Sequence, residues 1–361
     1  MSQVPLPALL KTMVDQDASD LHITVGVPPE FRIGGKMVKV KMNPLSPQDS
    51  KDLCYSVLTD SQKGEFEKTL DIDFSFGIKD LARFRGNLFY QRGNVGGVFR
   101  RIPLVIPDFD TLKLPQILKK VIRRPNGLIL VTGPTGSGKS TSLAAMLDIL
   151  NREEYGHLMT VEDPIEFVHP HKNCIVNQRE VGVDTRNFAS ALKRILRQDP
   201  DFVLVGELRD SETIEMALTM AETGHLVFAT LHTNSAIQSI NRVINVFPPH
   251  QQPQIRQVLS FTLQACVSQT LIPKSYEPGR VMACEVMVTT MAIRNLIRED
   301  KIHQIYSAMQ TGQEETGMQT MNQSIISLVK QGVLSKSDAA ENSPVPEEMV
   351  KLLMSVPDRK G

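Results

Sequence analysis

No stretch of the 361-residue sequence stays apolar over the roughly 20 residues that a membrane-spanning helix requires, and the N-terminus lacks the charged-then-apolar layout of a signal peptide. Membrane association is therefore expected only through a partner. Cysteine is scarce: Cys54, Cys174, Cys266 and Cys284 include no CxxC pair, which argues against a zinc cluster and a disulfide scaffold and fits four free thiols in a reducing cytosol. Net charge is missing too, since 40 Lys and Arg balance 40 Asp and Glu, so no overall field draws the chain onto nucleic acid or anionic membrane. A local basic patch stays open. No internal repeat or low-complexity tract interrupts the chain.

What is present is ordinary globular composition, 41% hydrophobic and 22% charged, in a chain longer than one hydrophobic core usually supports. Two folded domains are expected. Ser19 to Val40 reads as strand, turn, strand, broken by Pro28, Pro29, Gly34 and Gly35. LDIDFSFGI, from Leu70 to Ile78, alternates Ile72, Phe74 and Phe76 with Asp71, Asp73 and Ser75, the pattern of a half-buried strand. ARFRGNLFYQR and VGGVFRRI add two strands around Gly93 and Asn94, closing a mainly antiparallel N-terminal domain over 1–102. Residues 103–125, with four prolines and little alternation, read as a linker leading into a short helix. From 126 to 361 the pattern changes: GLILVT, HLMTV, DFVLVG and HLVFATL are apolar strands separated by helical stretches, which implies an α/β domain with a parallel sheet covered on both faces. The chain from Ala236 onward reads as largely helical and ends in a polar tail from about Ser335 to Gly361.

GPTGSGKST, comprising Gly133, Pro134, Thr135, Gly136, Ser137, Gly138, Lys139, Ser140 and Thr141, matches GxxxxGK[ST] between an apolar strand and a helix start, the context a phosphate-binding loop needs. Glycines let backbone amides turn toward phosphate oxygens and the helix N-terminus adds a favourable dipole; Lys139 reaches the β and γ phosphates and the Ser140 hydroxyl ligates Mg²⁺. DFVLVGELRD, residues 201–210, is an apolar strand ending in Glu207, placed to hold or orient the Mg²⁺ shell, the alternative being a carboxylate that caps the following helix. TVEDPIEF, 160–167, gathers Glu162, Asp163 and Glu166 in an acidic loop, where a carboxylate orients water or is simply solvated. GHLVFATLHT, 224–233, starts with His225 and ends with His232; ligands bind at the carboxyl ends of strands in such sheets, which favours His232 for sensing a γ-phosphate and leaves His225 equally open to a structural role. Arg83 and Arg85 share one strand face and Arg100 ends the next strand; they are either ordinary surface arginines or charges available to a phosphate.

Together these blocks resemble the secretion ATPase superfamily of type II secretion and type IV pilus systems, over nearly the whole chain. AIRNLIRED, 292–300, matches the AIRNLI signature of its pilus retraction branch, although Ile293, Leu296 and Ile297 also have the spacing of an amphipathic helix. The longer N-terminal region and tetracysteine site usual in assembly ATPases are not seen here. The resemblance implies an N-terminal PAS-like α+β domain, a RecA-like P-loop domain, ATP and Mg²⁺ as cofactors and a homohexameric ring with nucleotide between the two domains. It further implies a pilus inner-membrane platform protein as partner, a possible paralogous retraction ATPase, no nucleic acid, and a cytoplasmic location peripheral to the inner membrane. It makes Glu166 the catalytic carboxylate, Glu207 the Walker B glutamate, His225 and His232 the paired box histidines, and Arg83, Arg85 and Arg100 candidates for arginine fingers. The expected activity is ATP hydrolysis powering pilus retraction and twitching motility. Two alternatives remain, a partner-dependent accessory retraction ATPase with little turnover of its own and a RecA-like nucleic-acid motor; zero net charge and the AIRNLI segment weigh against the second.

Overall fold

The computed structural model describes residues 4–79, 81–102, 105–311 and 313–357, so residues 103–104 of the expected linker and the last four residues of the expected tail lie outside the described residues. Two compact units form: one comprises the described residues up to Val105 together with Glu166–Val168, the other Ile106–Ile165 and the chain from His169 onward.

Among the described residues of the first unit, six strands make one antiparallel sheet: β1 (Asp20–Ile23), β2 (Glu30–Ile33), β3 (Lys36–Lys39), β4 (Asp71–Ile78), β5 (Ala82–Gln91) and β6 (Asn94–Ile102). Their order is β3-β2-β1-β6-β5-β4. The β5–β6 turn places Arg92 and Gly93 at φ 49° and 74°, the left-handed pair that a tight hairpin demands. Alternation then sorts the two faces. Leu21, Phe31, Ile72, Phe74, Phe84, Leu88 and Phe99 are buried against the helices Leu6–Asp15, Pro47–Tyr55 and Asp60–Thr69. Arg85 pairs across the ladder with Arg100, Arg100 with Asp20, and Asp20 with Arg32, so one charged row crosses the sheet on the face opposite that core.

The second unit carries β7 (Gly127–Thr132), β8 (His157–Glu162), β9 (Ile175–Glu180), β10 (Phe202–Val205), β11 (Leu226–Leu231), β12 (Leu263–Pro273) and β13 (Arg280–Val288), ordered β13-β12-β7-β11-β10-β8-β9. All neighbours are parallel except the β12–β13 hairpin. Every residue of β7 and β11 is buried, as continuous apolar strands between two helical layers must be.

Three readings gain detail here. The chain after Ala236 is largely helical, as expected, but it also holds two strands that were not: LQACVSQTLIP and RVMACEVMV form β12 and β13, the polar Gln264, Ser268, Gln269 and Glu285 having masked strands that are buried on both faces. The expected linker does lead into a short helix, Ile117–Val121, and from Phe109 onward it packs: Phe109, Leu114, Leu118, Val121 and Ile122 are buried in the second unit's main core. The polar tail is packed: helices Lys336–Glu341 and Pro346–Met354 bring Ala339 and Met349 onto Ile272, Ala283, Met321 and Ile325 in a separate small core. Among the described residues no helix is long and apolar enough to cross a membrane.

Met349 is fully buried in that small core. Met349→Ala should cost about 2–5 kcal/mol locally. Hydrogen exchange checks this: helix Met321–Lys330 should lose protection while the strands β7 and β11 keep theirs.

Candidate functional site

β7 ends at Thr132 in the middle of the sheet, between β12 and β11. The chain then turns through Gly133, Gly136 and Gly138 at φ 138°, 78° and 88° and enters the helix Lys139–Glu153. At Gly133 a Cβ would stand 2.2 Å from the Gln269 carbonyl oxygen and 2.7 Å from Ser137 Oγ, so the turn requires glycine for space as well as for conformation. No side chain caps this helix. Its first amides therefore face the loop, an anion-binding arrangement reinforced by the helix dipole. Lys139 Nζ curls back to donate to the carbonyls of Gly133 (2.8 Å) and Pro134 (3.1 Å), while Pro134, Thr135, Gly136 and Ser140 are exposed and Thr141 is half-buried. Burial pushes the Lys139 pKa down, opposed by the charge of Glu207.

The parallel register brings further groups to the same end of the sheet. Thr132 stands beside Leu231, and Val205 beside both Ala229 and Val161, so the residues after β8, β10 and β11 emerge near the loop. Glu207 Oε1 lies 3.3 Å from His232 Nε2 and its Oε2 lies 2.8 Å from Arg209 Nη2; Arg209 Nη1 is 3.9 Å from Asp163 Oδ2. Asp210, not Glu207, caps the helix Ser211–Glu222, accepting from the Thr213 amide at 2.8 Å, which removes the capping explanation of Glu207. Burial raises the Glu207 pKa, but Arg209 and His232 outweigh it and hold the carboxyl below its ordinary range. Glu162 is drawn inward instead, buried and accepting from Thr160 Oγ1 at 2.6 Å and Gln178 Nε2 at 3.1 Å.

Other expected site residues stand elsewhere. His225 precedes β11, its Nδ1 lying 3.0 Å from the Met220 carbonyl, to which it can only donate, and 3.3 Å from Thr223 Oγ1, while its own carbonyl takes the Gly127 amide. That is the opposite end of the strand from His232, about 20 Å away at the rise of an extended chain, so within this subunit His225 does not join the loop as a nucleotide contact. Glu166 is exposed and belongs to the first unit. On that unit's charged row Arg100 Nε bonds Asp20 Oδ1 at 2.8 Å, Arg32 Nε is 3.8 Å from Asp20 Oδ2 and Arg85 lies 3.7 Å from Asp73; Arg83, half-buried, lies two residues from Arg85 on the same face. Asp20 is buried, and although burial raises its pKa, Ser19 and Arg100 bring it below the ordinary carboxylate value.

The sequence reading missed Arg209, and it missed the contribution of β12 to the loop. Gln269 donates from Nε2 to the Ser137 carbonyl at 2.8 Å, and Ser268 Oγ meets Thr132 Oγ1 at 2.7 Å. Polar residues inside an otherwise apolar run were the available signal. In the AIRNLI segment, helix Met291–Arg298 buries Ile293 and Ile297, and Arg294 donates to the Ser260 (3.0 Å) and Phe261 (2.5 Å) carbonyls, so its guanidinium serves the C-terminus of the helix Gln252–Thr262. Burial pushes the thiols of Cys54, Cys266 and Cys284 up to about 12, so these cysteines are structural.

Residues 109–342 match the family described as Type II/IV secretion system protein. The Type IV pilus retractation ATPase PilT of Pseudomonas aeruginosa is 51% identical over 339 residues, covering 94% of this chain and 98% of the relative. The Type IV pilus ATPase PilU of the same organism is 42% identical over 347 residues, covering 95% and 91%. A crystal structure of the pilus retraction motor PilT with bound ADP superposes with a TM-score of 0.91 at 49% identity, covering 96% of this chain and 99% of that one.

Because the folded-state pKa of Glu207 is lowered, its stabilising contribution is complete above the ordinary value of 4.5 and disappears as pH falls through the depressed one. Arg209→Ala removes the largest lowering influence, so by thermal unfolding the variant should be less stable than the wild type above pH 4.5 and show the shallower acid decline, the two curves converging as pH falls through the depressed pKa.

Proposed function

This chain belongs to the Type II/IV secretion system protein family, and from that premise we propose that it is an ATP-hydrolysing motor that powers retraction of type IV pili. The observation that carries the reading is a complete phosphate loop with Glu207 and His232 beside it, in a chain half identical over almost its full length to a pilus retraction ATPase. Identity to PilU is lower, 42% against 51%, which favours a motor with its own turnover over a partner-dependent accessory.

In this reading the amides after Gly133 and the Lys139 ammonium bind the β and γ phosphates. Ser140 and Glu207 offer oxygen donors only, the set that suits Mg²⁺, which when bound supplies positive charge to the phosphates. Glu207 and Arg209 fix each other in orientation, and His232, held by Glu207, is positioned to respond to a γ-phosphate. We assign Glu166 to orienting the attacking water, and Arg83, Arg85 and Arg100 to stabilising charge on the γ-phosphate, within one subunit or between neighbours. The first unit is proposed as the PAS-like domain and the second as the RecA-like motor of a hexamer. The ring works on the cytoplasmic side of the inner membrane against the pilus platform protein. Nucleotide-driven movement of the domains is the proposed stroke.

Steady-state phosphate release from ATP by the purified protein tests this. Lys139→Ala and Glu166→Gln should each lower turnover by roughly a hundredfold or more. Nucleotide binding without wild-type turnover would instead support the partner-dependent reading, and restoration of turnover by the paralogue would establish it.

A further inference from the structure

Gln269 lies in β12, one residue beyond the Ser268–Thr132 pair, and it approaches the phosphate loop in two ways. Its backbone carbonyl closes on Gly133, at the point where no Cβ would fit. Its side-chain amide donates to the Ser137 carbonyl at 2.8 Å, and the same Nε2 would stand 3.2 Å from a Cβ at Gly138. The loop is thus gripped at its first glycine, its central serine and its last glycine by one residue of a neighbouring strand.

Gln269 and Ser137 are each only 2% exposed, and each retains a buried atom without a hydrogen-bond partner: Gln269 Oε1 and Ser137 Oγ. The amide cannot be turned over to relieve this, because the Ser137 carbonyl only accepts and must face the NH₂ group. What is left over is an acceptor on Gln269 and a hydroxyl donor on Ser137, on the two sides of an existing contact. Buried polar groups without partners are costly, so a loop conformation that joins them is favoured over one that does not.

We propose that Gln269 is a positioning residue for the phosphate loop: its amide holds the Ser137 carbonyl, and phosphate in the loop brings the Ser137 hydroxyl to donate to Gln269 Oε1. This rests on the nucleotide-binding reading above. Gln269 touches no reacting atom; it acts through the loop. The effect is therefore specific to nucleotide affinity and depends on Ser137.

The test is a titration of the full-length protein with a fluorescent ADP analogue, with KM and kcat for ATP, for wild type, Gln269→Leu, Ser137→Ala and the double variant. Gln269→Leu should weaken binding about tenfold, the loss expected when a buried polar partner is removed. KM should rise by more than kcat falls. The double variant should bind no more weakly than the weaker single variant, because both substitutions break one linkage. Gln269→Glu keeps the volume but sets a second acceptor against the Ser137 carbonyl, so it should match the leucine variant; it also serves if Gln269→Leu fails to fold. Wild-type affinity in either Gln269 variant overturns the inference, as do losses that simply add, which is what independent packing defects would give. A wild-type protein without affinity for the analogue would instead remove the functional reading beneath it.

Discussion

β7 and β12 lie so close at the phosphate loop that the first glycine has no room for a single extra carbon. That approach depends on parallel pairing in which Ser268 stands beside Thr132, so that Gln269 falls against Gly133. The pairing in turn requires β12 to be buried, which its burial pattern shows over its first seven residues. Loop shape, helix start and lysine position all follow from it. Lys139 can fold back onto the Gly133 and Pro134 carbonyls only because those carbonyls are turned inward by the left-handed glycines.

Charge is arranged differently in the two units. At the strand ends of the second, carboxylates and cations hold each other: Arg209 lies between Glu207 and Asp163, and His232 takes the other Glu207 oxygen. Each group is thereby given a direction before any ligand arrives, and directed charges act on a reacting phosphate without prior rearrangement. In the first unit the buried Asp20 takes the Nε edge of Arg100 while the arginine side chain remains 69% exposed. The carboxylate fixes the plane of the guanidinium and leaves its outer edge facing solvent.

Much of this was legible in the letters. The GxxxxGK[ST] spacing after GLILVT located the loop, and strand-end logic favoured His232 over His225; in the structure His232 lies beside Glu207 and His225 at the other end of β11. Glu207 was legible as a strand-end carboxylate, while its competing role as a helix cap could be excluded only once Asp210 was seen to fill it. β12 and β13 were illegible because strands buried on both faces lose the period of two, and their polar residues, which serve the loop and the C-terminal helices, disguised the apolar run. The N-terminal helices were hidden for another reason: Asp60–Thr69 buries only Phe66. Capping boxes at Ser46 and Thr59 were the better signal.

The β12–β13 hairpin ends one side of the main sheet, and an uncovered edge there would offer its amides and carbonyls to any second chain. The segment before helix Met321–Lys330 occupies that edge. Val286 exchanges both backbone hydrogen bonds with Gln319, the Cys284 amide donates to Ser324 Oγ, and the Cys284 carbonyl accepts from Gln319 Nε2. Backbone pairing by a second chain is thus blocked at Cys284 and Val286, so the sheet closes on its own chain there and cannot grow by adding a strand through these residues.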